Sequence, residues 1–371
     1  MKRWLRRIVK LCLICFGVLL LIIAVEAIAG WRCDIQAQIP APVPQPKERQ
    51  AAAAGIKDYA RPEVDAYLSL PEWYIVWSYK EKADFQQDGL PSRFPYFSEV
   101  RQYWNMFCCT SRLTKGKYPS NTSEEIAQVV IGTSFSAEYI LKGLYEETIG
   151  RLSEWTSGHQ LTDEDHYAYK VAREYADFVN VRPFYEFHFA RHVKRLWAEN
   201  SLWGAHPLRK WERRAFLTLD YTIEAFYCWV MEKGTHLSYG YEPAETYTWA
   251  DNVDEPLLTQ IPHVKAVKAV GPKALIVSIP RYQEFTPVAI ALAQRGVHFV
   301  EIAGNSSITI SVLAPESWHG EGAFAQRLFS LPLLTHPGSR RLVLRCDVTS
   351  LDQALRSLRA DGVVIEHIYD Y

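Results

Sequence analysis

KALIVSIPRYQEFTPVAIALAQRGVHFVEI, residues 273–302, changes its hydrophobic period partway along and so decides the fold class. Between Lys273 and Ile279 the apolar residues Leu275, Val277 and Ile279 alternate, the period-two pattern of a strand. Thr286 then offers an N-cap oxygen, Pro287 occupies the first helical position and Gly296 closes an Ala-rich segment, so a helix follows. Val297 to Ile302 returns to strand.

Working towards the C-terminus, Ile308 to Leu313 reads as a strand joined to Val297–Ile302 in a hairpin through Ala-Gly-Asn-Ser. A connecting segment, helical around Gly322 to Phe329, leads to a strand from Arg341 to Val348. Ser350 to Gln353 forms a capping box for a helix that buries Leu351, Ala354, Leu355 and Leu358; Gly362 ends it, and Val363 to Tyr369 is the last strand. Residues 261–371 therefore read as a ferredoxin-like α+β domain, with helices on one face of a mainly antiparallel sheet. That fold hosts many unrelated functions and carries little functional information.

Working towards the N-terminus, composition shifts near residue 260. Most of the 12 Trp lie between Trp73 and Trp249, and only Trp318 lies beyond. Residues 56–260 read as an aromatic-rich helical domain, with starts at Leu70-Pro71-Glu72, Ser98, Thr122-Ser-Glu-Glu125, Thr162-Asp-Glu-Asp165, Pro183 and Leu208. Glu138 and Lys142 argue against a second membrane span there. Residues 32–55, Pro-rich from Ile39 to Pro46 and then Ala-rich, read as a semi-rigid spacer.

Residues 1–31 carry a basic tip (Lys2, Arg3, Arg6, Arg7, Lys10) and an apolar run from Leu11 to Val25, enough for residues 8–30 to cross a bilayer. The positive-inside rule keeps the tip cytoplasmic and sends the body to the periplasmic, exported face of the inner membrane. Ala27-Ile-Ala29 before Gly30 also fits signal-peptide cleavage, but the length of the run favours a retained single-pass anchor.

The chain of 371 residues is 48% hydrophobic and 22% charged, which excludes a disordered, collagen-like or coiled-coil protein. Its 41 Lys plus Arg against 42 Asp plus Glu leave no basic field for nucleic acid.

The candidate chemistry is sparse. His188 and His192, four apart in an expected helix, present two imidazoles for a divalent metal, although Phe189 stands where a hydrolytic site needs Glu. Asp220 and Glu224, also four apart, are the carboxylates that would complete such a site, and Glu186 would orient it. Arg191, Lys194 and Arg195, then Arg209, Lys210, Arg213 and Arg214, form the densest basic region and read as a face for anionic lipid or an acidic partner. Of the seven Cys, Cys108 or Cys109 could bridge to another helix; no CxxC supports a redox centre. Nucleophile elbows and nucleotide-binding loops are missing from the sequence.

These readings lead to a membrane-anchored binding or assembly factor on the exported face, with no cofactor, partnered by an envelope protein or lipid. The alternatives are a metal-dependent or redox enzyme of the helical domain and a small-molecule sensing module at the C-terminus.

Overall fold

The structure, a computed structural model, describes residues 2–42, 45–119, 121–235 and 244–371. Its helices are α1 (Lys2–Gly30), α2 (Lys47–Ala53), α3 (Val64–Leu68), α4 (Leu70–Gln86), α5 (Tyr96–Thr114), α6 (Thr122–Tyr145), α7 (Arg151–Thr156), α8 (Asp163–Val179), α9 (Phe189–Glu199), α10 (Pro207–Thr235), α11 (Glu255–Leu258), α12 (Phe285–Gln294) and α13 (Leu351–Ala360). The strands are β1 (Glu245–Asp251), β2 (Lys265–Gly271), β3 (Ala274–Pro280), β4 (His298–Ile302), β5 (Ser307–Pro315), β6 (Gln326–Pro332), β7 (Ser339–Asp347) and β8 (Val364–Ile368). The chain forms two compact units. One comprises Met1–Arg32, Pro71–Phe107 and Glu125–Gly240, the other Cys33–Leu70, Cys108–Glu124 and Tyr241–Tyr371, rather than parting once near residue 260.

The second unit is mixed helix and sheet, and it holds two four-stranded antiparallel sheets where one was expected. Their orders are β2-β3-β1-β4 and β6-β7-β5-β8, the same topology used twice. A 3-10 turn, a helix and the last strand begin at Tyr282, Phe285 and His298 in the first half and at Val348, Leu351 and Val364 in the second, a constant spacing. Even the bulges correspond, between Trp249 and Ala250 in β1 and between Ser311 and Val312 in β5. Each half is thus one split βαβ unit, with β1 or β5 inserted between the two parallel strands and an edge strand added by a hairpin. The helices α12 and α13 pack on each other, and one core joins Val277, Ile279 and Leu292 to Ile310, Leu344 and Leu355.

Three sequence expectations change here for physical reasons. Val297–Ile302 and Ile308–Leu313 do not form a hairpin, because left-handed Ala303 (φ 49°) and Gly304 (φ 76°) turn the chain from one sheet into the other. The segment around Gly322 to Phe329 is a short 3-10 turn and then the edge strand β6, whose bulge between Arg327 and Phe329 breaks the alternation that would have marked it. Residues 32–55 are not simply a spacer. The short helix α2 and the chain after it cover the outer face of the first sheet, where Ala53 and Tyr59 pack with Ile276 and Tyr247. Glu301 anchors this cover, accepting hydrogen bonds from the Tyr59 hydroxyl (2.7 Å) and Gln45 Nε2 (2.6 Å). Because β3 is covered on both sides, Ile276 is as buried as Val277.

Cys33 and Cys109 are joined by a disulfide, while Cys108, Cys228 and Cys346 are free and buried. Burial pushes the Cys346 thiol up to about 12, the behaviour of an inert core residue.

Both half-repeats end their helix on a left-handed glycine, Gly296 (φ 79°) and Gly362 (φ 72°). In each the residue after the glycine donates its N–H back to a helix carbonyl, Val297 to Leu292 (3.2 Å) and Val363 to Leu358 (2.9 Å). A Cβ at either glycine would meet nothing closer than 3.6 Å, so the cost of adding one is conformational. Gly296→Ala and Gly362→Ala should each destabilise this unit by about 1–2 kcal/mol. Thermal unfolding of the purified variants checks this; an unchanged midpoint in either would contradict the equivalence of the two caps.

Candidate functional site

The helical unit is built around aromatic side chains and a line of interior charges. Helix α8 starts at a capping box in which the Thr162 N–H donates to Asp165 (3.0 Å), and its first turn carries Asp163, Glu164 and Asp165. Opposite them, the N-terminal half of α10 is basic. Arg209 pairs with Asp165 (2.9 Å), Lys210 with Asp163 (2.7 Å), Arg213 with Glu146 (2.7 Å) and Arg214 with Glu164 (2.5 Å). All four cations are buried and paired with carboxylates inside the unit, which corrects their reading as a solvent-facing lipid- or acid-binding face. Arg191, Lys194 and Arg195 on α9 do remain exposed, with Arg195 3.9 Å from Glu199.

Between α6 and α7 the chain makes a π-turn, Glu146–Gly150. Gly150 is required there, since a Cβ would strike the Glu146 carboxylate that receives Arg213. One local irregularity thus serves the ion pair.

Further along, Lys142 on α6 gathers three carboxylates: Glu138 at 2.8 Å and, from α10, Asp220 and Glu224, each at 3.1 Å. The Tyr79 hydroxyl of α4 donates to Glu138 (2.6 Å). These groups line a cavity of about 60 Å³ together with Lys82, Tyr96, Tyr175, Arg213 and Tyr221. Lys82 has no ion pair among the described residues; its ammonium lies over the rings of Tyr96 (5.8 Å) and Tyr139 (5.4 Å). Burial, and then the charge of Lys142, hold its pKa down to about 8. Burial raises Glu224 to about 7 against the pull of Lys142. The cavity thus brings together an amine and a carboxyl whose pKa values are both shifted towards neutrality by burial.

The expected metal pair does not form. His188 precedes α9 with non-helical backbone (φ −90°, ψ 66°), is exposed, and its Nδ1 lies 2.7 Å from the Glu186 carbonyl oxygen. His192 is buried, stacked on Phe187 with ring centroids 5.1 Å apart, its Nε2 3.6 Å from Glu174. Burial pushes its pKa below the usual imidazole value. The helix begins one residue too late for the i, i+4 geometry, and Asp220 and Glu224 answer Lys142 instead. No cluster of three or more metal-ligating side chains occurs among the described residues. Sequence reasoning missed Lys82 and Tyr79 altogether and used Glu138 and Lys142 only as evidence against a span. The available signal was a pair of i, i+4 polar positions inside otherwise apolar helices.

No protein-family model matches this chain, and no significant match to a curated protein or a solved structure is found. The functional reading therefore rests on geometry.

Lys142→Met leaves three buried carboxylates without their common cation and should cost about 3–5 kcal/mol. Lys82→Met removes an unpaired buried cation and should be neutral or stabilising. Because Lys82 titrates near 8 when folded and near 10.5 when unfolded, the unfolded chain binds more protons between those values. Wild-type stability should therefore rise with pH across that window, and Lys82→Met should lose this component. Denaturant melts at pH 7.5, 9 and 10.5, about one to two units apart, check the sign.

Proposed function

We propose that this protein is a membrane-anchored binding or assembly factor, with its body seated directly on the exported face of the inner membrane. The observation that carries the reading is the way the end of the apolar helix is built into the fold. Among the described residues α1 is the helix long and apolar enough to cross a membrane, over Leu13–Gly30. Its last turns bury Ile23, Glu26 and Gly30. Glu26 pairs with Arg101 on α5, and a Cβ at Gly30 would strike the Arg101 carbonyl. A signal peptide destined for cleavage has no need of close packing and an ion pair to the mature body, so these contacts, with Glu26 buried and Arg101 at the surface, support retention of the anchor.

Two further features support the orientation. The basic residues at the N-terminal tip favour the cytoplasm by the positive-inside rule. The Cys33–Cys109 disulfide, a few residues beyond the apolar helix, belongs to an oxidising compartment. A binding role is favoured over catalysis because the charged groups lining the cavity of the helical unit are engaged with one another, Lys142 holding Glu138, Asp220 and Glu224.

Intact-mass analysis of protein taken from membranes should find residues 1–30 still attached, with Cys33 and Cys109 protected from alkylation until reductant is added. Native electrophoresis in mild detergent should show the chain within an assembly heavier than its own 42.7 kDa plus micelle. A processed N-terminus would refute the anchor, and a strictly monomeric species would refute the assembly role.

A further inference from the structure

Helices α6 and α10 lie side by side and antiparallel, since Ser134 meets Tyr227 (2.7 Å) while Tyr145 meets Glu212 (2.7 Å). Their charged residues face inwards, and what remains outside is apolar. From Trp211 to Val230, about 30 Å of helix, no exposed residue of α10 is charged. The exposed residues there include Trp211, Leu219, Ile223, Phe226, Trp229 and Val230. On α6 the exposed positions between Ile126 and Glu146 are Ile126, Val129, Val130, Leu141 and Leu144. The charged exposed residues resume only outside these limits, at Glu125 on α6, at Glu147 in the π-turn after it, and at Glu232 and Lys233 on α10. An apolar surface of this extent needs an occupant.

We infer that the occupant is the lipid bilayer, and that the α6/α10 face is embedded in the exported leaflet beside α1. The inference rests on the anchor reading above and deepens it by naming what the body touches. Three observations select lipid. The anchor itself packs on this unit over its last turns, from Ile23 to Gly30, which is about 10 Å of helix inside its own apolar stretch. The unit is therefore in contact with a segment that lies at acyl-chain depth, and a depth of about 5–10 Å is what an interfacial helix face occupies. Second, Trp211 and Trp229 mark the two ends of the α10 face, and Trp197 and Trp203 pack near Trp211 with centroids 6.1 Å away, the amphipathic rings that favour the headgroup level. Third, the opposite side of the same unit is aqueous. The exposed residues of α8 include His166, Lys170, Glu174 and Asp177. Helix α8 accompanies α10 along its length, so this charged face excludes full immersion and leaves α6 and α10 lying in one leaflet without crossing it.

The test uses the full-length protein in phosphatidylcholine vesicles that carry a diazirine on the lipid acyl chain. After photolysis, peptide mapping should find adducts on α1 and on the outer faces of α6 and α10, about tenfold or more above the α8 peptides. The double variant Leu219→Glu with Phe226→Glu changes only exposed positions and should lose the α10 adducts while α1 remains labelled. Labelling of α1 alone, with α6 and α10 unlabelled or crosslinked to a second protein chain, would overturn the inference. Absence of adducts from α1 as well would fall on the anchor reading itself.

Discussion

Interior charge pairing along α10 is the constraint on which the helical unit depends. Every charged residue of this helix from Arg209 to Glu224 is buried or half-buried, and each has an opposite charge within reach on α6, α7, α8 or α10 itself. Withdrawing that many ionised groups from water is tolerable only if every one is answered, because a single orphaned charge costs several kcal/mol. The ladder therefore fixes the register of α10 against its neighbours: a slide of one residue would turn most of these groups towards the wrong side. Its second consequence lies outside. Because the charged residues between Arg209 and Glu224 are committed to the interior beside Leu217 and Tyr221, the exposed residues of α10 over that stretch are mostly apolar.

The sheet-bearing unit is organised by different means. Its two halves repeat one topology, and each relies on a central strand flanked on both sides, a helix closed by a left-handed glycine and a bulge at an equivalent place. Edge exposure is managed by covering. The α2 segment seals the outer face of the first sheet through Glu301, and Arg281 is tied to Asp370 (2.9 Å) near the end of the chain. His367, enclosed and pushed down to about 3 by burial, stays neutral beside Gln283.

Together these features describe a body whose polar chemistry is spent on its own architecture. Lys82 is the exception, a cation without an ion pair among the described residues, lying above two tyrosine rings at the edge of the cavity. Most of the large exposed apolar side chains of the helical unit gather on α1, α6 and α10, the faces on which the proposed membrane contact rests.

Much of this was legible in the sequence, wherever the signal is local. The apolar run from Leu11 to Val25, the Thr162 capping box, the strand–helix–strand pattern of residues 273–302 and the glycine stops at 296 and 362 each follow from propensity and period, which depend on neighbours a few residues away. The doubled sheet was not legible, because its halves share few residues beyond Leu292/Leu358, Gly296/Gly362, Val297/Val363 and Ile302/Ile368, and packing requires only apolar character at the rest. Nor could sequence decide which side of α6 and α10 meets the interior. Glu138, Lys142, Asp220 and Glu224 look like a solvated face when read along the chain, and the basic stretch Arg209–Arg214 looks like a ligand surface. Only the tertiary structure brings opposite charges from distant segments within 3 Å or so, and it is that pairing, a long-range electrostatic fact, which places these charges in the interior.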